Sequence, residues 1–334
     1  MTGPHPSVAA VRNAVRESLD GCDIGTRVWV ACSGGPDSLA LAAATAYVGR
    51  KEGYLTGAII VDHGLQPGSA AVAERAAAEA RKAGLHHVFI EKVTVGRDGG
   101  LEAAARNARY AALNARIDEV GGHHPHLLTG HTMDDQAETV LLALARGSGA
   151  RALAGIPARR GRIVRPLLSL RRKDTIAACQ ALGLDPWHDP TNTVTDGPRR
   201  SALRTQVMPA LVEVLGPGVV SGLARSAALL QADADELDRQ ARATLGSVPQ
   251  SPEEQWRCDM LAALPDAIRS RMIKMLAEHR GAGALTAAHV NAVDQLVVGY
   301  RGQGAVSLPG GYEARREYGR LVISHPTRET GDRS

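Results

Sequence analysis

A chain of 334 residues that is 44% hydrophobic and 22% charged has the make-up of a globular protein of about two domains, which excludes a disordered chain and a small disulfide-stapled scaffold. Only ten residues are aromatic, with a single Phe at Phe89, so Leu, Val, Ile and Ala must fill the cores, and base stacking on Phe platforms is not expected. The net charge of +4 is unevenly spread: between Arg151 and Arg204 eleven Lys or Arg stand against four Asp, a local +7 that leaves the rest of the chain at −3.

From residue 27 onward, short apolar, β-branched runs alternate with Ala-rich stretches of helical period. Strands are expected at 27–32, 57–61, 87–93 and 126–130, with helices at 38–50, 70–83 and 101–119 between them and another at 133–145. Each strand run is short and continuously apolar, as when both faces of a parallel sheet are covered. The pattern predicts an α/β fold with a doubly wound, mainly parallel sheet of five strands and ligands at its carboxyl edge. Gly147-Ser148-Gly149 stops the fourth helix, Ile163-Val164-Arg165 reads as a further strand, and a helix begins after Ser169. Residues 186–198 read as a functional loop. Helical pattern resumes at Arg199, breaks at Gly216-Pro217-Gly218, and gives way to a polar linker at 247–254. Beyond it, helices at 259–278 and 286–298 and a hairpin turning at Pro309-Gly310-Gly311 form a smaller second unit. The four cysteines, Cys22, Cys32, Cys179 and Cys258, include no C-x-x-C pair, so no zinc ribbon or iron–sulfur ligand set is written. Free thiols, a polar N-terminus and the lack of any run of about 18 apolar residues point to a cytoplasmic protein with no membrane partner.

The strongest local chemistry is Ser33-Gly34-Gly35-Pro36-Asp37-Ser38, set between a buried-type strand and a helix. Two glycines let backbone approach a ligand, Pro36 suits a first helical turn, and the helix start offers unpaired N–H groups: together, a phosphate cradle. Neither the G-x-G-x-x-G spacing nor a terminal Gly-Lys-Ser/Thr is present. The loop carries Asp37 in place of a lysine, and a carboxylate facing phosphates implies a divalent cation, magnesium, between them. The plainer alternative is a Gly-rich turn with Asp37 and Ser38 as helix caps.

The segment from Thr129 to Thr139 follows another strand and so emerges at the same edge. Helical spacing sets Asp134 and Glu138 on one face, with His131 and Asp135 a turn apart on the next. A helix dipole accounts for one or two acids in a first turn, but not for three beside a histidine. Such a cluster suits a second metal contact or a cationic substrate such as an amino acid. Asp62-His63-Gly64 ends the second strand at that edge too, where it reaches a nucleotide or simply caps the strand. Arg106 and Arg109 share a helix face and either clamp phosphate or form a solvated pair balanced by Glu102. The basic run Arg159, Arg160, Arg162, Arg165, Arg171, Arg172 and Lys173, with Arg199, Arg200 and Arg204 beyond, reads as a contact for a nucleic-acid backbone.

Ser33 to Ser38 resembles the PP-loop of the N-type ATP pyrophosphatases, which split ATP between the α and β phosphates. Val61-Asp62-His63-Gly64-Leu65, Leu101 to Tyr110, His131 to Thr139, Arg146-Gly147-Ser148-Gly149 and Asp189-Pro190-Thr191-Asn192, in that order, resemble the tRNA(Ile)-lysidine synthetase family, and the Leu308-Pro309-Gly310-Gly311 hairpin is weakly similar to its first C-terminal domain. The resemblance implies a PP-loop catalytic domain over 1–215 with a basic tRNA-facing arm at 151–210, a helical connection and linker over 216–254, and a C-terminal domain over 255–330. It implies that ATP adenylates C2 of the wobble cytidine of a CAU-anticodon tRNA(Ile) and that L-lysine then displaces AMP. ATP contacts are expected from Ser33, Gly34, Gly35, Pro36, Asp37, Ser38, Asp62 and His63, with Mg2+ at Asp37. Lysine is expected at Asp134, Asp135 and Glu138, and catalytic contacts from these acids with Asp37, Arg106, Arg109 and Arg204. The tRNA is expected along Arg159, Arg160, Arg171, Arg172, Lys173, Arg199 and Arg200, and a homodimer is possible. Arg200-Ser201 stands where the family usually has Arg-Asn. Another PP-loop enzyme, or a non-catalytic nucleotide-dependent RNA-binding module, is the alternative.

Overall fold

The computed structural model describes residues 3–96, 100–147, 149–187, 199–247 and 255–326. The chain divides into two compact units, 1–148 with 152–228, and 149–151 with 229–334.

In the first unit the elements run α1 (Pro6–Ser18), β1 (Arg27–Ala31), α2 (Pro36–Glu52), β2 (Leu55–Asp62), α3 (Ser69–Lys82), β3 (His87–Lys92), α4 (Leu101–Val120), β4 (His126–Thr129) and α5 (Met133–Leu144). Then come α6 (Ala150–Leu153), which is shared with the second unit, β5 (Arg159–Arg160), β6 (Ile163–Val164), a 3₁₀ turn (Pro166–Ser169), α7 (Arg172–Ala181), α8 (Arg199–Ala202), a π-helical segment (Leu203–Val207), α9 (Met208–Leu215) and α10 (Val219–Ser247), which belongs to the second unit after residue 228. The sheet order is β3-β2-β1-β4-β6-β5. It is doubly wound and mainly parallel, as the sequence pattern predicts, with β1 between β2 and β4 in register Val28↔Thr56 and Val28↔His126.

Period-two alternation in β1 explains the layering. Val28 and Val30 face a core shared with Val11 and Val15 of α1, Leu39 and Leu41 of α2 and Ala178 of α7. Trp29 faces the other way, joining Ile59, Leu127 and the α4 residues Leu113 and Ile117. Both faces are thus covered, and the ligand-competent surface is the carboxyl edge between β1 and β4, where the strand order reverses.

Two expectations need correction, and one helix is not expected from the sequence. The sheet has six strands rather than five, because Arg159–Arg160 folds back antiparallel on Ile163–Val164 and adds an edge strand. Helix α1 lies between the polar residues 1–6 and β1, where no element is expected, and its Val8, Val11 and Val15 are buried on one face. The helix expected over 259–278 is two, α11 (Cys258–Ala262) and α12 (Asp266–His279), since Pro265 cannot donate to a continuous ladder and takes the N-cap position instead.

The second unit takes the part of α10 beyond residue 228, continues through β7 (Trp256–Arg257), α11, α12 and α13 (Ala287–Val298), and closes with β8 (Val306–Ser307), β9 (Glu313–Glu317) and β10 (Arg320–Ser324). Its antiparallel sheet has the order β7-β10-β9-β8, and Pro309–Gly311 forms the turn between β8 and β9. Met272, Ile273 and Leu276 of α12 pack with Val293 and Leu296 of α13 and Leu321 and Ile323 of β10 as a separate core. No single helix among the described residues is long and apolar enough to cross a membrane.

Candidate active site

The loop after β1 is held open by its own short side chains. The Ser38 hydroxyl accepts from the Ser33 N–H at 3.1 Å and donates to the Gly35 carbonyl at 3.0 Å, tying the turn across itself. Gly34 sits at φ +80°, and a Cβ there would stand 2.9 Å from that of Ala76 in α3, so only glycine lets the loop run this close. Helix α2 begins with Pro36 and no side-chain cap, which leaves its first N–H groups without a side-chain partner.

The loop after β4 is brought against the same helix start. A Cβ on Gly130 would lie 3.0 Å from the Asp37 carbonyl carbon and 3.1 Å from the Ser38 nitrogen, a backbone-to-backbone approach that places α5 beside Asp37. At the head of α5, Thr132 donates to Asp135 Oδ2 through both its N–H and its hydroxyl, each at 2.8 Å. This is a capping arrangement that the Thr132-x-x-Asp135 spacing already spells.

The acids of the two helices converge on one cation. Arg172, at the start of α7, donates from Nε to Asp37 Oδ2 at 3.1 Å, from Nη2 to Asp135 Oδ1 at 2.7 Å and from Nη1 to Glu138 Oε1 at 3.5 Å. Arg171 beside it forks onto both oxygens of Asp134, Nη2 to Oδ1 at 3.0 Å and Nε to Oδ2 at 3.1 Å, while the Arg172 backbone N–H also donates to Asp134 at 2.8 Å. Arg204 forks onto Glu138 at 2.8 and 3.0 Å, and Glu138 is only 2% exposed. The wider π-helical turn at Leu203–Val207 carries Arg204. Thr175, one turn into α7, donates its hydroxyl to Asp37.

Burial pushes the Asp37 carboxyl above its ordinary value, against the pull of Arg172 and Thr175. Burial acts on Asp135 too, but Arg172 and the Thr132 hydrogen bonds outweigh it and hold that carboxyl low. Asp134 is likewise held low, burial being outweighed by the Arg171 fork and the Arg172 N–H. Burial lowers His131 to about 4 despite Asp135, with Arg165, Arg106 and Arg109 pushing the same way, so its imidazole is neutral at pH 7 and shares a hydrogen bond with the Thr129 hydroxyl at 3.0 Å.

That last group defines a second, cationic side. Arg106, Arg109 and Arg165 have no carboxylate partner within ion-pair distance among the described residues; burial pulls Arg109 down, as it does His63, which also feels Arg109. Asp62 accepts from the Gly64 N–H at 3.0 Å and, through its hydrogen bond with Ser69, is held low at the end of β2.

The structure therefore separates the basic run that the sequence presents as one. Arg171 and Arg172 do not stand with the exposed residues Arg160 and Lys173; they are folded into the acid cluster. Arg159 donates to the Ser18 carbonyl, Arg162 pairs with Asp118 at 2.6 Å, and Arg200 reaches the Thr139 hydroxyl at 3.3 Å. Arg199 belongs to α8. Thr175 carries no signal in the sequence, and Gly130 and Thr132 carry none beyond their place in the segment 129–139. The Asp189-Pro190-Thr191-Asn192 motif lies outside the described residues.

Residues 9–211 match the family profile described as PP-loop domain, and residues 257–322 match the one described as TilS substrate binding domain. With the Gly-rich turn, the order of strands and the uncapped helix start, this defines a PP-loop protein. The tRNA(Ile)-lysidine synthase of Thermobifida fusca is 49% identical over 97% of this chain and 99% of its own length, and that of Salinispora tropica is 51% identical over 96% and 97%. The same enzyme of Mycobacterium tuberculosis is 46% identical over 90% and 89%. The chain belongs to the tRNA(Ile)-lysidine synthase family. A U34-tRNA thiolase from Methanococcus maripaludis shares the fold at a TM-score of 0.54 and 19% identity, over 67% of this chain and 80% of its own.

Proposed function

We propose that this protein joins L-lysine to C2 of the wobble cytidine of CAU-anticodon tRNA(Ile), consuming ATP and releasing AMP and pyrophosphate through an adenylated tRNA. The observation that carries the reading is the contact of Arg172 with both Asp37 of the PP-loop helix and Asp135 and Glu138 of α5, which sets a phosphate cradle and an acidic pocket side by side.

The chemistry follows from these groups. The C2 carbonyl oxygen of cytidine is a weak nucleophile, so the α-phosphate must be made electrophilic and the departing pyrophosphate stabilised. The open N–H groups at the start of α2 face where that charge develops, and Arg106 and Arg109 supply cations for the phosphates. Asp62 and His63 line the β2 end of the same edge. Lysine attacks as a neutral amine. Asp134, Asp135 and Glu138, the acids expected to meet lysine, are each paired with a guanidinium of Arg171, Arg172 or Arg204. A carboxylate of this set holds the ammonium and takes its proton.

Among the described residues no three His, Cys, Asp or Glu side chains are arranged to hold a metal by themselves. Asp37, in the first turn of α2 beside the Gly-rich turn, nonetheless offers the hard oxygen donor that magnesium takes, one or two protein carboxylates sufficing when phosphates and water complete its shell. Bound there, it would neutralise phosphate charge as a Lewis acid. The tRNA backbone is assigned to Arg159, Arg160, Lys173, Arg199 and Arg200, and a tRNA substrate places the enzyme in the cytoplasm.

Incubation with ATP, radiolabelled lysine and tRNA transcripts tests the reading: label is expected in the CAU-anticodon tRNA(Ile) and absent from a transcript with another anticodon. Tight tRNA binding with no label transfer would favour an RNA-binding module, and release of AMP with another modification would favour a different PP-loop enzyme.

A further inference from the structure

Arg172 lies in the most basic stretch of the chain, where a surface arginine would meet nucleic acid, yet its side chain is 19% exposed and all three of its nitrogens are directed at carboxylates. Those carboxylates come from two elements that no strand pairing or turn joins directly: Asp37 from the first turn of α2, Asp135 and Glu138 from α5. The arginine itself is held from behind. Its N–H is bonded to Asp134 at 2.8 Å, and its carbonyl accepts from the Thr175 hydroxyl at 2.7 Å, so the head of α7 is fixed while the side chain reaches inward. The same hydroxyl, with one proton to give, also stands in hydrogen-bond reach of Asp37, a second point of contact between α7 and the PP-loop helix.

A guanidinium suits this place because it is planar, permanently charged and presents N–H groups along separate edges, whereas an ammonium concentrates its donors at one point. Without it, Arg204 would still pair with Glu138 and stand 3.5 Å from Asp135, but Asp37 would lose its only guanidinium among the described residues and face Asp135 across the gap between α2 and α5, and that repulsion would loosen one helix from the other.

We infer that Arg172 is a positioning residue that binds the PP-loop aspartate to the acidic face of α5, fixing the distance between the ATP half and the amine half of the site. The inference rests on the function proposed above and deepens it. Adenylation and lysine transfer use the two halves in turn on one tRNA, so an error in their spacing is felt in both steps.

The test measures the two steps separately in wild type, R172A and R172K: pyrophosphate release with ATP and tRNA in the absence of lysine, and lysine transfer to the adenylated tRNA. R172A is expected to lower kcat in both steps by about a hundredfold, the scale of an ångström-sized misplacement, with KM for tRNA changed by less than about threefold. Guanidinium chloride at millimolar concentration should restore at least about tenfold of the lost rate in R172A, and sodium chloride at equal ionic strength should not. R172K, which keeps the charge without the three-edged fork, should fall between the two. Retained kcat at saturating tRNA with a raised KM and a flatter salt dependence would overturn the inference and return Arg172 to the tRNA backbone. Loss confined to one step, or no response of soluble R172A to guanidinium, would overturn it as well. Should R172A not fold, R172K decides alone: lowered kcat in both steps supports the bridge, and wild-type kcat refutes it. If wild type transfers no lysine, the proposed function fails, while pyrophosphate release still reports on Arg172.

Discussion

Gly130→Ala isolates the approach of the two catalytic loops. A β-carbon there would stand 3.0 Å from the carbonyl carbon of Asp37, 3.1 Å from its oxygen and 3.1 Å from the Ser38 nitrogen, against an optimum near 3.5–4.0 Å for non-bonded carbons. The opposing atoms are helix backbone and cannot rotate away, and Gly130 is not among the glycines with positive φ, so alanine is penalised for space and not for conformation. The loops must part by about half an ångström. Overpacking of this kind costs about 1–3 kcal/mol. For a unit of this size that corresponds to a fall in Tm of about 2–12 °C. Because the contact is made by Asp37 itself, the same displacement moves its carboxylate relative to Asp135, and on the scale where one ångström costs about a hundredfold, kcat for pyrophosphate release should drop about tenfold. Thermal melting with a pyrophosphate-release assay reads both. A Gly130→Ala protein with wild-type Tm and wild-type rate would refute the argument that this glycine sets the spacing of the site.

Asp37→Asn should lower pyrophosphate release by about a hundredfold or more while filter-binding affinity for tRNA stays near wild type; equal loss of both would contradict a role confined to the nucleotide. His131 has a folded-state pKa of about 4, below its free value of 6.5, so the stability it contributes is complete above pH 6.5 and is lost as pH falls toward 4. Up to about 3 kcal/mol is at stake. Urea unfolding at pH 7 and pH 4.5 should therefore show a smaller acid loss for His131→Gln than for wild type, and identical losses would rule the histidine out as the source. Replacing the exposed Arg160 and Lys173 together by alanine should flatten the slope of log tRNA affinity against log salt by about 2, or about 0.9 for each lost phosphate contact, and an unchanged slope would remove both from the tRNA path.

What was legible in the sequence is what local pattern encodes. Strands buried on both faces read as continuous apolar runs, so β1, β2 and β4 were legible, and so was the Gly-rich turn before an uncapped helix that belongs to the PP-loop domain. Helix α1 was not, because only Val8, Val11 and Val15 are buried in a segment otherwise of mixed polarity. The edge strand Arg159–Arg160 was hidden by composition, since two exposed arginines carry no strand signal until Ile163–Val164 offers a partner. The acids of α5 were found from helical spacing, but their partners were not. A run of arginines looks the same whether it faces water or folds inward, and only the packing of α7 against α2 separates Arg171 and Arg172 from Arg160 and Lys173. Thr175 was silent for the same reason: its hydroxyl meets Asp37 across 138 positions of sequence.

The central claim is that the PP-loop holds the diphosphate that leaves and not one that stays. ATP labelled on its α-phosphate, followed through a single turnover with CAU-anticodon tRNA(Ile) and lysine, should yield labelled AMP in step with lysine entering the tRNA and no labelled ADP. Labelled ADP as the product, or AMP released without lysine transfer, would contradict the account.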